Sequence, residues 1–469
     1  MKQISIWSLF VICTLRIGAY FKRPLIAMMF FHSILSSQST PVPVSVPASV
    51  TVRMCVDAAL TAHPVASMAE ARVDAANAKY DESGGALLPQ LRFSARAIGL
   101  SHVEPTSIKL PIPGSQPITL FPSIDHQYGA RLNLTQPLFA GFRLSSAKEM
   151  ARLAAEASVE ERLRDRADLA LQVEQAYWTW VQALEAQDVL EKVLVQMTEH
   201  EKLVRRLVEQ GLSTSSDLLN IRVKRSDVQV RLIDARTGAD LARMALNNFI
   251  GNPLETPLVP AESPLQYLDV KADSLSNHPD VRADAFADRP DIRALSLRKS
   301  ISEESVSAAR GGWYPQISLA ANVDYARPNS RIIPPQDKFS DTWDVGIQLQ
   351  WTVWDWQTTS AQAEQAQASV RQAEAGLQLM TNAAKLEVAQ YSRRLRDARE
   401  QVAAARLGVE AAEESRRIVG EKFQAGTSSN TEVLDADVAL LQAKLNLTKA
   451  GAEFRLAKAR LRRATGELP

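Results

Sequence analysis

Three carboxylates beside two glycine-containing turns are the side chains of this sequence that are best placed to bind or select ions. Glu432 and Asp435 are three residues apart, so a helix would carry them on one face. Asp217 follows the other turn. A carboxylate in the first turn of a helix also stabilises that helix by about 0.3–1 kcal/mol. This structural explanation covers Asp217 and Glu432, but it covers Asp435, beyond the first helical turn, less well.

No set of residues with catalytic spacing accompanies these carboxylates. The sequence lacks a phosphate-binding loop, and its six histidines are scattered without the spacing of a metal site. We therefore predict that the protein is not an enzyme and has neither a metal nor a cofactor. With 54 basic and 53 acidic side chains, no basic excess points to nucleic acid.

The N-terminal residues 1–39 are predicted to be a secretory signal peptide. Two apolar runs, 4–20 and 25–35, precede small residues that suit cleavage. A membrane anchor is the alternative, but neither run reaches the roughly 18–20 apolar residues of a spanning helix. The proline-containing residues 40–49 are expected to be an extended linker. Cys13 lies in the signal, which leaves Cys55 without a disulfide partner.

The rest of the chain is a tandem duplication of a domain-sized unit. The turn at Gly211 recurs at Gly426 with similar neighbouring residues, at an offset of 215 in the numbering. We predict a first structural repeat at 50–265 and a second at 266–469. Each repeat is expected to contain two strands and two long helices, with strands at about 88–100, 129–139, 315–326 and 343–354, and helices at 145–210, 216–250, 360–425 and 431–465.

Alternation of apolar and polar residues identifies the strands, most clearly at 345–353. A sheet packed on a soluble helical core would show the same period. However, the charges fall on the polar face, and a length of about 9–11 residues suits a tilted membrane strand. Four strands cannot close a barrel, and an open sheet edge in lipid costs several kcal/mol per unsatisfied group. Several chains would therefore have to share one barrel. The loops between paired strands, at 103–127 and 327–342, are polar, and a further helix is expected at 57–83.

The two long helices at 145–210 and 360–425 are equal in length, and neither contains a proline. At a rise of about 1.5 Å per residue, each would be about 100 Å long. Apolar residues recur every three to four positions among charges, which is typical of coiled-coil packing. A cytoskeletal rod is the alternative, and the export signal and the strands count against it.

Three motifs give the chain a family resemblance. Leu-Pro-Gln at 88–90 and Tyr-Pro-Gln at 314–316 precede strands, Arg-Pro-Asp-Ile-Arg-Ala at 289–294 opens the second repeat, and the turn is duplicated. Doubled and in this order, these motifs are specific. The chain resembles the TolC-like outer-membrane efflux proteins over nearly its whole length after the signal.

The resemblance implies a fold that is mainly α with a membrane β-barrel. A homotrimer would form a twelve-stranded barrel continuous with an α-helical periplasmic tunnel, in the cell outer membrane with a long periplasmic extension. The implied function is the exit duct of a tripartite efflux pump or of a type I secretion system. The implied partners are a periplasmic adaptor (membrane fusion) protein, an inner-membrane RND or ABC transporter and outer-membrane lipid.

The resemblance also implies roles for residues at the turns. Gly211, Leu212, Gly426 and Thr427 would form the tips on which the adaptor docks. Asp217, Glu432 and Asp435 match acidic positions that line the periplasmic aperture, where threefold symmetry would turn each into a ring that selects cations.

Trp354 and Trp356 are expected to be interfacial aromatics at the end of the last strand, although simple packing is an alternative explanation.

Two other protein classes compete with a channel. A periplasmic adaptor needs one hairpin flanked by lipoyl-like halves, whereas this chain has two hairpins separated by membrane-type strands. A coiled-coil scaffold without a pore gives no reason for the alternating strands.

Overall fold

The computed structural model describes residues 49–108, 111, 118–121, 123–264 and 288–467. The expected signal peptide lies outside these residues, as does the expected linker apart from Ser49. Ser49–Val50 forms a short strand, β1, that pairs in parallel with β6, Val259–Pro260. The first described residues therefore lie beside the end of the first repeat.

Helices dominate the described residues. They are α1 (Val52–Ala62), α2 (Pro64–Gly85), α3 (Arg143–Glu209), α4 (Ser215–Ile250), α5 (Pro290–Arg310), α6 (Thr358–Gln424) and α7 (Asn430–Ala464). Among them, no helix combines the length and the apolar character that crossing a membrane requires.

The two longest helices, α3 and α6, have 67 residues each. Neither contains a proline, so no backbone donor is missing along their length. Each begins after a residue in the left-handed conformation, Phe142 (φ 66°) and Gln357 (φ 65°). These two residues are related by the same offset as the glycine turns, so the duplication extends to the sharp turn between the sheet and the long helix.

The helix predicted at 57–83 is wrong as a single element. The structure has two helices there, with a break at His63, whose backbone is extended (φ −75°, ψ 135°). The cause is Pro64, which disfavours a helical conformation in the residue before it. His63 caps the second helix, since its Nδ1 accepts a hydrogen bond from the Val65 amide at 3.3 Å.

An antiparallel sheet of four strands lies between the helical segments. The strands are β2 (Gln90–Gly99), β5 (His126–Ala140), β7 (Gln316–Arg327) and β8 (Ser340–Gln350), and this is also their order across the sheet. Strands from both repeats therefore form one sheet, and β2 and β8 are its two edges.

Two predictions at the sheet need correction. The last strand ends at Gln350, not at 354, because Gln350 pairs with Gln316, the first residue of β7, and the described part of the chain offers no strand partner beyond it. Alternation alone could not reveal that end. The predicted loop at 103–127 also contains strands, since β3 (Thr106–Ile108) pairs with β4 (Ile118–Phe121) and β5 already begins at His126.

The long helices form two hairpins that pack side by side. The first hairpin is α3 with α4 and the second is α6 with α7; α3 also packs on α7, which gives the row α4–α3–α7–α6. Tyr177 and Trp180 of α3 are fully buried among residues of α1, α4 and α7. Nearer the hairpin ends, Met197, Val228 and Leu441 continue the core across both hairpins.

Candidate functional site at the hairpin ends

Both hairpins end in the same kind of glycine turn. Gly211 and Gly426 have φ of 75° and 73°, which an L side chain rarely adopts. The Leu212 amide donates to the Leu207 carbonyl at 2.8 Å, and the Thr427 amide donates to the Lys422 carbonyl at 2.9 Å. Each pattern is a Schellman motif, which ends one helix before the next is capped.

Asp217 is held by its own turn. Its carboxylate accepts hydrogen bonds from the Thr214 hydroxyl at 2.6 Å and amide at 3.1 Å, and from the Ser213 hydroxyl at 3.0 Å. Thr214 in turn caps α4, which completes a capping box. These bonds, that of the Thr214 hydroxyl above all, hold the pKa of Asp217 below its ordinary value.

Glu432 is the counterpart of Asp217 in the second repeat and is held in a similar way. Its carboxylate accepts a hydrogen bond from the Ser428 hydroxyl, which lowers the pKa of Glu432. Ser429 caps α7, because its hydroxyl oxygen accepts a hydrogen bond from the Glu432 amide at 3.3 Å. Asp435 is exposed and makes no hydrogen bond or ion pair with another residue in the described ranges. The helix-capping explanation thus fits Asp217 and Glu432, and it does not fit Asp435.

An ion cluster around the buried Glu201 supports the first hairpin near its end. Glu201 of α3 accepts hydrogen bonds from Arg205 at 2.9 Å and, across the hairpin, from Arg222 at 3.1 Å and Arg225 at 2.6 Å. Burial opposes the charge on Glu201, but the arginines outweigh it and its pKa is lowered.

The second hairpin has an ion pair at the equivalent place with the opposite polarity. Arg416 of α6 donates to the buried Asp437 of α7. In the duplicated sequence, Arg416 is the counterpart of Glu201 and Asp437 is the counterpart of Arg222, both at the offset that relates the glycine turns. The duplicated unit therefore keeps an ion pair between its helices while the acid and the base have exchanged helices.

A histidine and an asparagine join the two hairpins. Nε2 of His200 lies 2.8 Å from Oδ1 of Asn430, and the Asn430 amide nitrogen donates to the Asp217 carbonyl at 3.2 Å. Both side chains are buried. The sequence does not indicate this contact, because helical periodicity does not reveal which helices of different hairpins will be neighbours.

Trp354 and Trp356 lie in the segment between β8 and α6. The two residues are 71 % and 83 % exposed, and their rings meet edge to face at 5.8 Å between centroids. Within the described protomer they are therefore not part of a packed core, which weakens the packing explanation.

The chain matches the outer membrane efflux protein family over residues 55–252 and 281–467. It belongs to that family. Membership confirms the resemblance seen in the duplicated motifs and places the chain in the outer membrane.

The proteases secretion protein PrtF of Dickeya chrysanthemi is 26 % identical over 263 residues, which are 54 % of this chain and 54 % of that protein. The chain thus spans about half the length of this curated relative.

Solved structures of outer-membrane proteins share the fold. The chain is similar to VceC of Vibrio cholerae (TM-score 0.72, 18 % identity, 88 % of this chain and 96 % of that one). It is similar to the CmeC channel of Campylobacter jejuni (0.74, 17 %, 89 % and 85 %). It is also similar to the open-state MtrE channel of Neisseria gonorrhoeae (0.70, 20 %, 88 % and 88 %). These likenesses confirm the predicted fold class of a mainly helical efflux-family protein with a four-stranded sheet.

Proposed function

We propose that three copies of this chain form an outer-membrane exit duct, through which substrates pass from an inner-membrane transporter across the periplasm and the outer membrane. The observation that carries the proposal is that the sheet and the helix row both end in open edges. Family membership and the shared fold support it further.

The sheet edges demand partners from other copies. Every residue of β2 is exposed, and among the strands that the structure describes, β8 pairs only with β7. In lipid, each unsatisfied backbone group costs several kcal/mol, so only a closed barrel is stable. Pairing β2 of one protomer with β8 of the next would satisfy both edges, and three protomers would close a twelve-stranded barrel.

The helix row has the same kind of open edges. α4 packs mainly on α3, and α6 packs mainly on α7 and α5. Large apolar side chains remain exposed on both edge helices, at heptad-like spacings. They are Leu219, Val223 and Val230 on α4, and Leu379, Leu386 and Leu407 on α6. Contact between α4 of one protomer and α6 of the next would bury them and close a helical tunnel that extends into the periplasm.

In this assembly, the hairpin ends would form the periplasmic aperture. Asp217, Glu432 and Asp435 would each recur three times around it, and such rings of carboxylates favour cations. Asp435 is the strongest candidate for direct contact with the pore, because its carboxylate is not used by its own helix. Gly211, Leu212, Gly426 and Thr427 form the outermost turns and are the proposed docking tips for a periplasmic adaptor protein.

The exposed Trp354 and Trp356 suit the boundary between lipid and water, where aromatic rings are favoured. They would mark the periplasmic end of the barrel, at the junction with the tunnel.

The transporter would be an RND or an ABC protein, within a tripartite efflux pump or a type I secretion system. The similarity to a relative named for protease secretion supports the second assignment.

Single-channel conductance in a planar lipid bilayer tests the duct and its aperture together. We expect the purified assembly to give a small cation-selective current. The Glu432→Ala/Asp435→Ala double variant should give a larger and less selective current, because two carboxylates per protomer no longer line the opening. Asp227→Ala/Asp234→Ala is the control, since it removes the same charge from exposed positions farther along α4.

Equal currents in the wild type and the Glu432→Ala/Asp435→Ala variant would disprove the aperture assignment and leave the duct intact. Insertion of well-folded protein without any current would disprove the duct.

A further inference from the structure

The contact between His200 of α3 and Asn430 of α7 is a polar bridge between the two hairpins close to their ends. Because an amide oxygen accepts, Nε2 of His200 donates the hydrogen bond of 2.8 Å to Oδ1 of Asn430. Asn430 is the first residue of α7, directly after the second turn, and its amide nitrogen reaches the backbone of Asp217 at 3.2 Å. From the start of α7, the side-chain amide of Asn430 thus bonds to both α3 and α4.

The surroundings of His200 favour the neutral ring. The ring is buried and packs against Phe423 of α6, with 5.3 Å between the ring centroids. Burial lowers the pKa of His200, and the bond to Asn430 and the charge of Asp437 only partly oppose this effect.

The charged groups around His200 do not supply a free counter-ion. Asp437 of α7 is already paired with Arg416 of α6, whose charge disfavours a protonated imidazole. Glu201, the next residue on α3, is paired with three arginines. From α4, Asp217 presents its backbone carbonyl, while its carboxylate is bonded to its own turn.

We propose that His200 and Asn430 latch the two hairpins of each protomer together at the aperture, and that acid releases this latch by protonating His200. The inference rests on the proposed function, in which the hairpin ends form that aperture.

The direction of the pH effect follows from linkage between protonation and opening. With the hairpins together, the His200 pKa lies below its ordinary value of 6.5. Separation of the hairpins would expose the ring to water and return the pKa toward that value. The open arrangement therefore binds protons more readily, and the latch weakens as the pH falls through about 6.5. Asp217 and Glu432 have lowered pKa values and stay charged in this range.

Conductance at about pH 7.5 and about pH 5.5 tests the latch, because only histidine ordinarily titrates between them. We expect the time-averaged current of the wild type to rise about two-fold or more in acid. His200→Gln can still donate to Asn430 but does not titrate, so its current should be the same at both values. Asn430→Ala removes the shared acceptor and should be open at both. A wild type without a pH response, or an acid rise in His200→Gln equal to that of the wild type, would overturn the latch.

A distance measurement separates the latch from the duct. Spin labels on cysteines introduced at Leu212 and Thr427, in a Cys55→Ala background diluted with unlabelled chain, report how far apart the two turns of one protomer lie. The distance should increase in acid in the wild-type background and stay constant with His200→Gln. An unchanged distance in the wild type overturns the latch even if the channel conducts. A pH-dependent distance without any current supports the latch and contradicts the duct.

Discussion

At the scale of single residues, the two hairpins place ion pairs of opposite polarity at equivalent positions. The second hairpin's pair is the more buried, since the side chains of Arg416 and Asp437 are 28 % and 3 % exposed. Removing one partner from a buried pair leaves an uncompensated charge. Each side chain of the pair is therefore expected to matter more to stability than the exposed charges around it.

Charge reversal tests this expectation. Arg416→Glu alone would put two carboxylates together, and Asp437→Arg alone would put two guanidinium groups together. We expect each to lower the free energy of unfolding by about 3–5 kcal/mol. The double variant restores a pair with the polarity of the first hairpin, so it should recover much of that loss. Guanidinium unfolding followed by circular dichroism measures all three.

Arg417→Glu is the neighbouring control, because Arg417 is 55 % exposed and pairs only with exposed carboxylates. It should cost about 1 kcal/mol or less. If the Arg416 and Asp437 reversals cost no more than this control, or if the double variant recovers nothing, the ion pair does not stabilise the hairpin.

At the scale of elements, the turns depend on a backbone conformation rather than on space. Nothing lies within 4 Å of a Cβ added to Gly211 or Gly426, but both glycines have positive φ. Alanine at either position should lower the free energy of unfolding by about 1 kcal/mol through strain alone. Gly408, in the middle of α6, also has open space around it and no positive φ, so Gly408→Ala should instead stabilise the helix by about 0.5–1 kcal/mol. Opposite signs in chemical unfolding are the expected result, and equal signs would contradict the role of φ.

Sequence predicts elements well where the signal is local. The absence of proline gives the length of α3 and α6, and glycine followed by a serine or threonine cap gives both turns. Sequence fails where a feature depends on a distant partner. The end of β8 at Gln350 is set by the start of β7, and the contact between His200 and Asn430 joins residues far apart in the chain. The ion pairs could have been identified from the duplication, because Glu201 with Arg222 and Arg416 with Asp437 are opposite charges at positions related by its offset.

At the scale of the whole molecule, one protomer leaves the edges of its sheet and of its helix row uncovered. Its sheet and its helix row each end in an edge that another copy would cover. The two edges of the sheet, β2 and β8, come from different repeats, and so do the two edges of the row, α4 and α6. Duplication followed by divergence thus gives a protomer two different edges, which is what a closed ring of identical chains requires.

A carboxylate on the helical edge tests this assembly without touching the aperture. Val230 of α4 is 55 % exposed on the edge proposed to meet α6 of the next protomer. Val230→Asp would bury an unpaired charge at every copy of that contact, at several kcal/mol each. We expect the protein in detergent to lose its trimer by light scattering while circular dichroism still reports long helices. Val195→Asp is the matched control, since Val195 is 63 % exposed on α3, which already has neighbours on both sides within the protomer. Should Val230→Asp remain trimeric, or should Val195→Asp dissociate equally, α4 would not be the helical edge through which the ring closes.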